Sequence, residues 1–390
     1  MISITHKENC CGCTACASVC PKGAIVLKED SEGFFYPSVD RDLCVDCGLC
    51  EKVCPFLHSP SSSSVPQGVY AAKCRDEELR KQSSSGGVFS LLAYSVLDEG
   101  GVVFGARFDE RWEVCHGYAE TREELSSFRG SKYVQSRMGD AYLQALAFLK
   151  AGRKVLFTGT SCQIMGLKRF LRCDYPNLLT AECLCHGVPS PKVWKRYIEE
   201  LSVDGRITQI SFRDKRKGWK NYEVLIRQRK TGNNVETDRV REPFYHNLYM
   251  RGFLSDLYLR PSCYACRAKN GRCGSDLTIA DFWAVPLVDP AFDDDKGCSL
   301  VLVHTERGSE MCRSLDIEMA VEEYTPSRER NGGFCEHLSI PRRRRAFFAA
   351  LDSCRSVSGL IRYALDSSFP VFFLKVCMQR LLSVYPFSHK

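Results

Sequence analysis

The sequence has 390 residues, 44% of them apolar and 26% charged, which is enough for two or three folded domains and excludes a globally disordered chain. It contains 23 cysteines and begins without the apolar stretch of a signal peptide. This excludes a small secreted disulfide protein and predicts metal or redox use of the thiols in a reducing cytoplasm. The formal charge of +7 would suit an anionic partner, but it omits the charge of any bound metal group.

Two short runs near the N-terminus share one cysteine spacing. CCGCTACASVCP and CVDCGLCEKVCP both follow C-x2-C-x2-C-x3-C-P, and they lie 34 residues apart. This pattern is typical of bacterial ferredoxins with two 4Fe-4S clusters, in which the fourth cysteine of each run binds the other cluster. One cluster is therefore predicted on Cys10, Cys13, Cys16 and Cys54, and the other on Cys44, Cys47, Cys50 and Cys20.

Structural zinc is the alternative for these runs. Zinc sites usually separate two C-x2-C pairs by a long gap and do not need three consecutive short spacings, so iron–sulfur clusters are favoured. Cys11 lies one residue out of register and is predicted to point away from the ligands. We therefore expect residues 1–58 to form a dicluster head that carries electrons.

The chain after the head predicts a linker followed by alternating strands and helices. Residues 59–67 are rich in Ser and Pro and indicate the linker. GVYAAKC, GGVVFGARF and KVLFTG are typical of strands, SSSGGVFSLLAYSVLDEGG of a serine-capped helix, and MGDAYLQALAFLKAGR of a second helix. We expect an α/β domain over 68–180, a more mixed α+β domain over 181–345 and a helical tail over 346–390. The predicted fold class is a multidomain α+β and α/β protein behind a ferredoxin-like head.

Short segments between predicted strands and helices are candidates for binding a cofactor, because α/β sheets bind ligands at such places. The glycines of SSSGGVF open a helix whose free N–H groups would face a phosphate, with an ordinary capped turn as an equal alternative. RGSKYVQS offers a hydroxyl, a charge and a flat ring for an isoalloxazine, although a solvated loop would look the same. The candidate cofactor residues are Ser85, Gly86, Gly87, Ser131, Lys132, Tyr133, Gly159 and Thr160.

Four cysteines of the body are candidates for a third cluster. Cys162 begins a helix after the strand KVLFTG, where the helix dipole favours a thiolate. Cys185 follows the next predicted strand, and successive strands are often neighbours, so both thiols would meet at one sheet edge. Cys263 and Cys266, in PSCYAC, would complete a set of four thiolates.

Other residues compete with this assignment. Cys273 is a rival fourth ligand and His186 a less favoured one, and Cys162 and Cys185 could instead be small buried apolar residues. Three oxidised clusters of about −2 each would lower the net charge to about +1, so nucleic acid is not expected as a partner. The remaining cysteines are predicted to be ordinary buried residues: Cys74, Cys115, Cys173, Cys183, Cys298, Cys312, Cys335, Cys354 and Cys377.

Basic runs and the tail give weaker signals. Lys215, Arg216 and Lys217, in FRDKRKGW, would meet an anionic substrate or form a solvated turn. The arginines at 342–345 would contact an acidic partner or a membrane surface, or cap the next helix. Asp281 and Trp283, in ADFW, end a predicted strand and are expected to lie just behind the third cluster. No run of 18 apolar residues occurs, so no membrane span is expected.

Seven segments occur in an order that resembles the coenzyme F420-reducing hydrogenase and dehydrogenase beta-subunit family: SSSGGVFS, RGSKYVQS, GTSCQIMGLKRFL, CHGVPSPKVW, FRDKRKGW, RPSCYACR and SDLTIADFWAV. The resemblance runs from about residue 68 to about residue 345. It implies a flavin, FAD or FMN, near the glycines of SSSGGVF and the segment RGSKYVQS, and a cluster on the four body cysteines. The sequence departs from the family in having Ser161 where proline is usual and in adding Cys273.

The resemblance and the cysteine runs together predict an oxidoreductase that relays electrons between clusters and a flavin. The flavin would reduce or oxidise a two-electron partner, an F420-like deazaflavin or another small organic substrate. An external donor such as ferredoxin or a hydrogenase or dehydrogenase subunit is the expected protein partner. The alternatives are a non-catalytic electron-transfer subunit, a reductase tied to surface-polysaccharide synthesis, and a zinc-stabilised module that binds nucleic acid.

Overall fold

The computed structural model describes residues 1–59, 65–232, 235–331 and 338–368, which form a cysteine-rich head packed on a larger α/β body. The head elements are α1 (Ala15–Ser18), β1 (Ile25–Glu29), β2 (Phe35–Val39) and α2 (Leu49–Lys52). β1 and β2 form an antiparallel hairpin. Thr14 and Gly48 precede the two short helices with positive φ, which turns the backbone sharply between the first cysteines of each run and the helix.

One eight-stranded sheet organises the body, in the order β13-β3-β12-β11-β7-β6-β4-β5. Its strands are β3 (Gly68–Cys74), β4 (Val102–Phe108), β5 (Val114–Ala119), β6 (Val155–Thr160), β7 (Leu178–Cys183), β11 (Leu277–Asp281), β12 (Ser299–Val303) and β13 (Ile317–Val321). Strands β4, β6, β7 and β11 are parallel to one another, and β12 runs antiparallel between β11 and β3. The run Val155–Thr158 of β6 is fully buried, as expected for a parallel strand with both faces covered.

A smaller antiparallel sheet of β8 (Gly205–Asp214), β9 (Glu223–Lys230) and β10 (Glu236–Pro243) lies beside the large one. The body helices are α3 (Glu77–Gln82), α4 (Val88–Asp98), α5 (Ala141–Lys150), α6 (Ser161–Leu171), α7 (Pro191–Leu201), α8 (Leu248–Leu254), α9 (Val285–Val288), α10 (Glu306–Ser314), α11 (Tyr324–Arg330), α12 (Arg344–Leu351) and α13 (Val357–Asp366). Trp194 of α7, Phe212 of β8, Tyr249 of α8 and Phe347 of α12 share one buried core. The smaller sheet and the last helices are therefore one packing unit.

The head is attached to the body by buried contacts. Phe34 is fully buried in the core just described, where its ring meets that of Phe348. Glu32 forms an ion pair with Arg344 at 2.5 Å. A Cβ added at Gly33, whose φ is +88°, would lie 2.2 Å from the Cβ of Lys192, so this contact requires glycine. The hairpin β1–β2 thus fixes the head to α7 and α12.

The predicted mixed α/β fold with a ferredoxin-like head is confirmed, including β3, β4, β6 and helices α4 and α5. The predicted serine cap of α4 is wrong, because Gly87 occupies the N-cap with a φ of +91°. The predicted boundary at residues 180 and 181 falls inside β7, and strands from both sides of it share the large sheet. The domain limits 1–58, 59–67, 68–180, 181–345 and 346–390 stay predictions.

Part of the sequence-based interpretation lies outside the described residues, namely linker residues 60–64, the cysteines at 335 and 377, and residues 369–390. The described part of the tail is helical, as expected, in α12 and α13. None of the helices in the described ranges has the length and apolar character needed to cross a bilayer.

Candidate functional site

The candidate site lies where five parallel strands of the large sheet end. Because β3, β4, β6, β7 and β11 run in the same direction, their last residues lie along one side of the sheet, here called the carboxyl edge. Those last residues are Cys74, Phe108, Thr160, Cys183 and Asp281. Ligands of open α/β sheets bind beyond such an edge. Cys162, Cys185 and Asp281 all belong to it.

The structure brings together the four body cysteines, here called the quartet: Cys162, Cys185, Cys263 and Cys266. Burial raises the pKa of the Cys185 thiol well above its ordinary value, and Cys263 and Cys162 raise it further. Burial raises the pKa of Cys263 to about 12, with Cys266 and Cys162 adding to the shift. The four thiols therefore lie near one another, and the thiolate forms would repel unless a bound metal centre compensated their charge.

Hydrogen-bond donors of the body approach the quartet sulfurs. The backbone N–H of Val188 donates to the sulfur of Cys263 at 3.4 Å. The Thr160 hydroxyl lies 3.3 Å from the sulfur of Cys162. N–H and O–H bonds to cysteine sulfur are among the contacts that set the potential of an iron–sulfur cluster.

The two rival ligands are engaged elsewhere. The thiol of Cys273 donates to the carboxylate of Glu182 at 2.9 Å, and it is buried there. The ring of His186 pairs through Nε2 with Asp256 at 2.6 Å. These contacts favour the quartet over a set that contains either residue.

The head cysteines line two separate cavities. Cys10, Cys13, Cys16 and Cys54, here called the inner set, line one of them. Cys20, Cys44, Cys47 and Cys50, the outer set, line the other. The fourth cysteine of each run thus lines the cavity formed by the other run, as the ferredoxin pattern predicts. In the described residues no three His, Cys, Asp or Glu side chains are arranged to hold a single metal ion.

The inner set faces the body and the outer set faces away from it. A Cβ added at Gly166 of α6 would lie 2.8 Å from the Cβ of Cys13, so only glycine permits this approach. Cys47 of the outer set is exposed. The prediction that Cys11 points away is wrong, because its thiol is buried and lies close to those of Cys13 and Cys162. Cys11 therefore lies between the inner set and the quartet.

The first predicted cofactor segment is bound to its neighbours. The Gly86 N–H donates to the Ser299 hydroxyl at 3.0 Å, and a Cβ at Gly86 would lie 2.2 Å from the carbonyl oxygen of Ala72. The prediction of a free Gly86 N–H is thus wrong, since this glycine allows close packing between β3 and β12. Ser85 donates through its hydroxyl to the carbonyl of Cys298 at 2.7 Å.

The second predicted cofactor segment lies at the carboxyl edge. The backbone N–H of Ser131 donates to the hydroxyl of Ser84 at 2.7 Å. Burial lowers the pKa of Lys132 to about 7, and Cys183 opposes this shift. The ring of Tyr133 stacks on Phe253 with centroids 5.0 Å apart, so one of its faces is already covered.

The third predicted cofactor segment contains Gly159 and Thr160 at the end of β6. The amide oxygen of Gln163 accepts a hydrogen bond from the Thr160 N–H at 2.9 Å and helps to start α6. Gln163 also donates to the Ser136 hydroxyl at 2.9 Å, and Ser136 contacts the buried ring of His116 at 2.7 Å. This network positions the N-terminus of α6, and with it Cys162.

Sequence reasoning identified Asp281 and Trp283 at the carboxyl edge but missed Arg213, which joins them in a charged and aromatic group. The buried guanidinium of Arg213 pairs with Asp281 at 2.7 Å and lies over the rings of Tyr222 and Trp283. The Trp283 ring stacks on buried Trp219 at 4.4 Å and 3°, while 40% of Trp283 stays exposed. Arg213 Nε is buried and has no hydrogen-bond partner in the described part of the chain. This is the orphaned donor that a bound ligand with an acceptor atom would satisfy.

The basic runs are mostly engaged within the protein. Lys215 donates to the carbonyls of Ser85 and Lys296 at 3.0 and 2.9 Å, so its predicted contact with a substrate is not supported. Arg343 caps the end of α13, which fits the capping alternative, and Arg344 joins the body to the head. Arg260 was also missed, although it opens the segment RPSCYACR. An arginine next to a cysteine pair was the available signal.

Comparison with known protein families finds matches for both the head and the body. Residues 9–57 match the 4Fe-4S dicluster domain. The N-terminal and C-terminal models of the coenzyme F420 hydrogenase/dehydrogenase beta subunit match residues 69–142 and 152–328, which is well over half of the chain. An uncharacterized ferredoxin of Methanocaldococcus jannaschii is 32% identical over 79 residues, 20% of this chain and 94% of the ferredoxin.

Two relatives that match longer stretches of the chain carry redox names. The coenzyme F420-dependent sulfite reductase of Methanocaldococcus jannaschii is 27% identical over 340 residues, 82% of this chain and 48% of that protein. One of the subunits of the F(420)H(2) dehydrogenase of Methanosarcina mazei is 26% identical over 171 residues, 41% of this chain and 48% of that protein. The chain spans about half the length of these two relatives. A chain of the F420-reducing [NiFe] hydrogenase complex of Methanosarcina barkeri aligns at 19% identity and a TM-score of 0.44, over 66% of this chain and 82% of that one.

Proposed function

Because the chain belongs to the coenzyme F420 hydrogenase/dehydrogenase beta-subunit family, we propose that it is an iron–sulfur flavoprotein oxidoreductase. It passes electrons between the head and a two-electron partner at the carboxyl edge. One observation carries this proposal: Cys11 lines the same cavity as the inner set and also lies close to Cys162 of the quartet at the carboxyl edge.

The proposed ligands are the three cysteine groups. The inner set and the outer set each hold one cluster of the head, and Cys162, Cys185, Cys263 and Cys266 hold a third in the body. When bound, the clusters supply single-electron transfer, and a flavin supplies the conversion between single electrons and electron pairs. The Val188 N–H and the Thr160 hydroxyl stabilise negative charge on the quartet sulfurs.

The carboxyl edge is the proposed place of the flavin, FAD or FMN. The orphaned Nε of Arg213 and the half-exposed ring of Trp283 fit a planar group with acceptor atoms. Ser131, Lys132 and Tyr133 stay the proposed contacts on one side, with Gly159 and Thr160 at the end of β6. Ser85 and Gly87 stay proposed contacts from the turn before α4. Gly86 is not proposed, because it packs against Ala72 and Ser299.

The two-electron partner is proposed to be an F420-like deazaflavin or another small organic molecule. Two relatives named for coenzyme F420 support this class of substrate. The half-length coverage of those relatives favours a second candidate function, a non-catalytic electron-transfer subunit of a larger redox complex. In both cases a ferredoxin or a hydrogenase or dehydrogenase subunit would dock near the outer set, whose Cys47 is exposed.

The test uses the chain purified without oxygen. Iron, acid-labile sulfide and flavin are quantified, and reduction of deazaflavin, nicotinamides and ferredoxin is then assayed. About 12 irons with one flavin, and turnover of one of the acceptors, is the expected result. A full iron content without flavin would favour the electron-transfer subunit, and zinc without iron or sulfide would overturn both functions.

A further inference from the structure

We propose that Arg260 is a positioning residue that serves as the buried counter-charge of the inner cluster and raises its reduction potential above that of the outer cluster. The inference rests on the proposed function, because it requires clusters on the inner set and the quartet. It concerns the order in which electrons occupy the clusters, which the ligand sets alone do not determine.

Arg260 lies at the junction of the head and the body. Its Nε donates to the carbonyl oxygen of Cys10 at 2.8 Å, and one terminal nitrogen reaches the sulfur of Cys10 at 3.6 Å. That nitrogen also donates to the carbonyl of Phe35 at 3.0 Å, and the other donates to the amide oxygen of Gln135 at 3.0 Å. The guanidinium therefore holds the first ligand of the inner set by both its backbone and its sulfur.

The second contact of Gln135 extends this arrangement toward the quartet. The Gln135 amide N–H donates to the carbonyl oxygen of Cys11 at 3.2 Å. The thiol of Cys11 in turn lies close to that of Cys162 of the quartet. A Cβ at Gly12 would lie 2.7 Å from Gln135 and 2.9 Å from Arg260, so the backbone after Cys11 is fitted closely around this pair.

Arg260 lacks a carboxylate counter-ion among the contacts that the described residues provide. It is 1% exposed, and its hydrogen-bond partners there are carbonyl oxygens, an amide oxygen and the Cys10 sulfur. A buried cation is costly unless an anion compensates it. The nearest groups that can carry negative charge include the thiolates of Cys10, Cys11 and Cys263, and a thiolate-bound cluster carries about −2. Among these thiols, only the Cys10 sulfur of the inner set is a hydrogen-bond partner of the guanidinium in the described residues, at 3.6 Å, so the inner cluster is the anion that this arginine pairs with.

The outer set has a different environment. Its cavity is lined by Lys22 and Asp46, which are both exposed, so their charges act through solvent. A buried positive charge next to a cluster favours the reduced state, which has one more negative charge. The inner cluster should consequently be the easier of the two head clusters to reduce, so that electrons entering at the outer set move toward the body.

The test is a potentiometric titration followed by electron paramagnetic resonance, on the full chain with its clusters. Arg260→Met removes the charge at similar length, and we expect it to lower the potential of one head cluster by at least 59 mV, a tenfold change in its one-electron equilibrium. Arg260→Lys keeps the charge and should shift the same cluster by less. Arg344→Met removes another buried arginine that joins head and body, through Glu32 and Leu259, and should leave all potentials unchanged.

Iron content separates the outcomes. Wild-type chain with fewer than about 12 irons would overturn the proposed third cluster, and so the proposed function, before any potential is compared. With full iron in both Arg260 variants, unchanged potentials, or an equal shift of all clusters, would overturn the role of Arg260 alone. If both variants lose the inner cluster, Arg260 is a structural residue and the tuning role is overturned as well.

Discussion

The head and the carboxyl edge bring cysteines together in opposite ways. In the head, three ligands of each set lie within seven residues, and only the fourth comes from the other run. In the body, the quartet spans residues 162 to 266 and is assembled by the neighbouring strands β6 and β7 and the turn that precedes β11. The proposed head clusters would therefore depend on local backbone loops, whereas the proposed body cluster would depend on the tertiary fold. Perturbing the carboxyl edge should therefore remove the proposed body cluster and leave the head clusters in place.

The largest expected effect comes from removing one quartet thiol. Cys185→Ser should lower the iron content by about one cluster, or four irons, because serine at this position leaves only three thiolates. Both head clusters should remain, since none of their ligands changes. Iron and sulfide analysis with electron paramagnetic resonance measures this loss.

The matched control is Cys183→Ser. Cys183 is the last residue of β7 and lies two residues before Cys185. Cys183 is exposed and contacts Lys132, and it does not belong to the quartet. Its substitution should leave the iron content unchanged. If the Cys185 variant keeps all its iron, the ligand assignment in the body is wrong.

A second prediction concerns the ion pair at the end of β11. Asp281→Asn leaves the buried guanidinium of Arg213 without a charged partner, which should lower the free energy of unfolding by about 3 to 5 kcal/mol. The body cluster should be lost at lower urea concentration than the head clusters. The exposed pair of Asp238 with Arg227 provides a control, because Asp238→Asn should cost only about 0 to 1 kcal/mol. Equal effects of the two substitutions would contradict this account.

The spacing of short motifs explains what sequence reasoning could predict. The two runs of the head determine their ligands locally, and the cavities agree with the predicted exchange of Cys20 and Cys54. The meeting of Cys162 and Cys185 followed from the tendency of successive strands to pair, and β6 and β7 do pair. Family resemblance and this rule together were enough to predict that the four cysteines of the quartet meet, and their role as cluster ligands stays a prediction.

Contacts between residues far apart in the chain explain what was missed. The partners of Arg260 lie 125 to 250 positions away, so no local pattern could assign them. The Gly86 N–H was expected to be free because its partner Ser299 lies 213 residues later, where no local pattern of the turn indicates it. Cys11 was judged by its register in the head, whereas its position depends on how the head docks on α6.

Lowering the pH should destabilise the body before the head, which is a third way to distinguish the two regions. Burial lowers the pKa of His116 to about 4 from 6.5, so the unfolded chain binds the proton first as the pH falls. The free energy of unfolding therefore falls as the pH drops from about 6.5 to about 4. Between pH 7 and pH 5 it should fall by about 2 kcal/mol. Urea unfolding at these two pH values measures it. His116→Gln should remove this part of the pH dependence.

The smallest expected effect tests the one cysteine that links the two regions. Cys11→Ala removes a buried thiol between Cys13 and Cys162 and should lower the free energy of unfolding by about 1 kcal/mol. The iron content should stay complete, because the inner set and the quartet each already have four cysteines. A loss of about four irons would instead make Cys11 a ligand, in place of a cysteine of one of those sets. In that case a head residue, Cys11, would be a ligand of the body cluster. The body site would then no longer be distinct from the locally formed sites of the head.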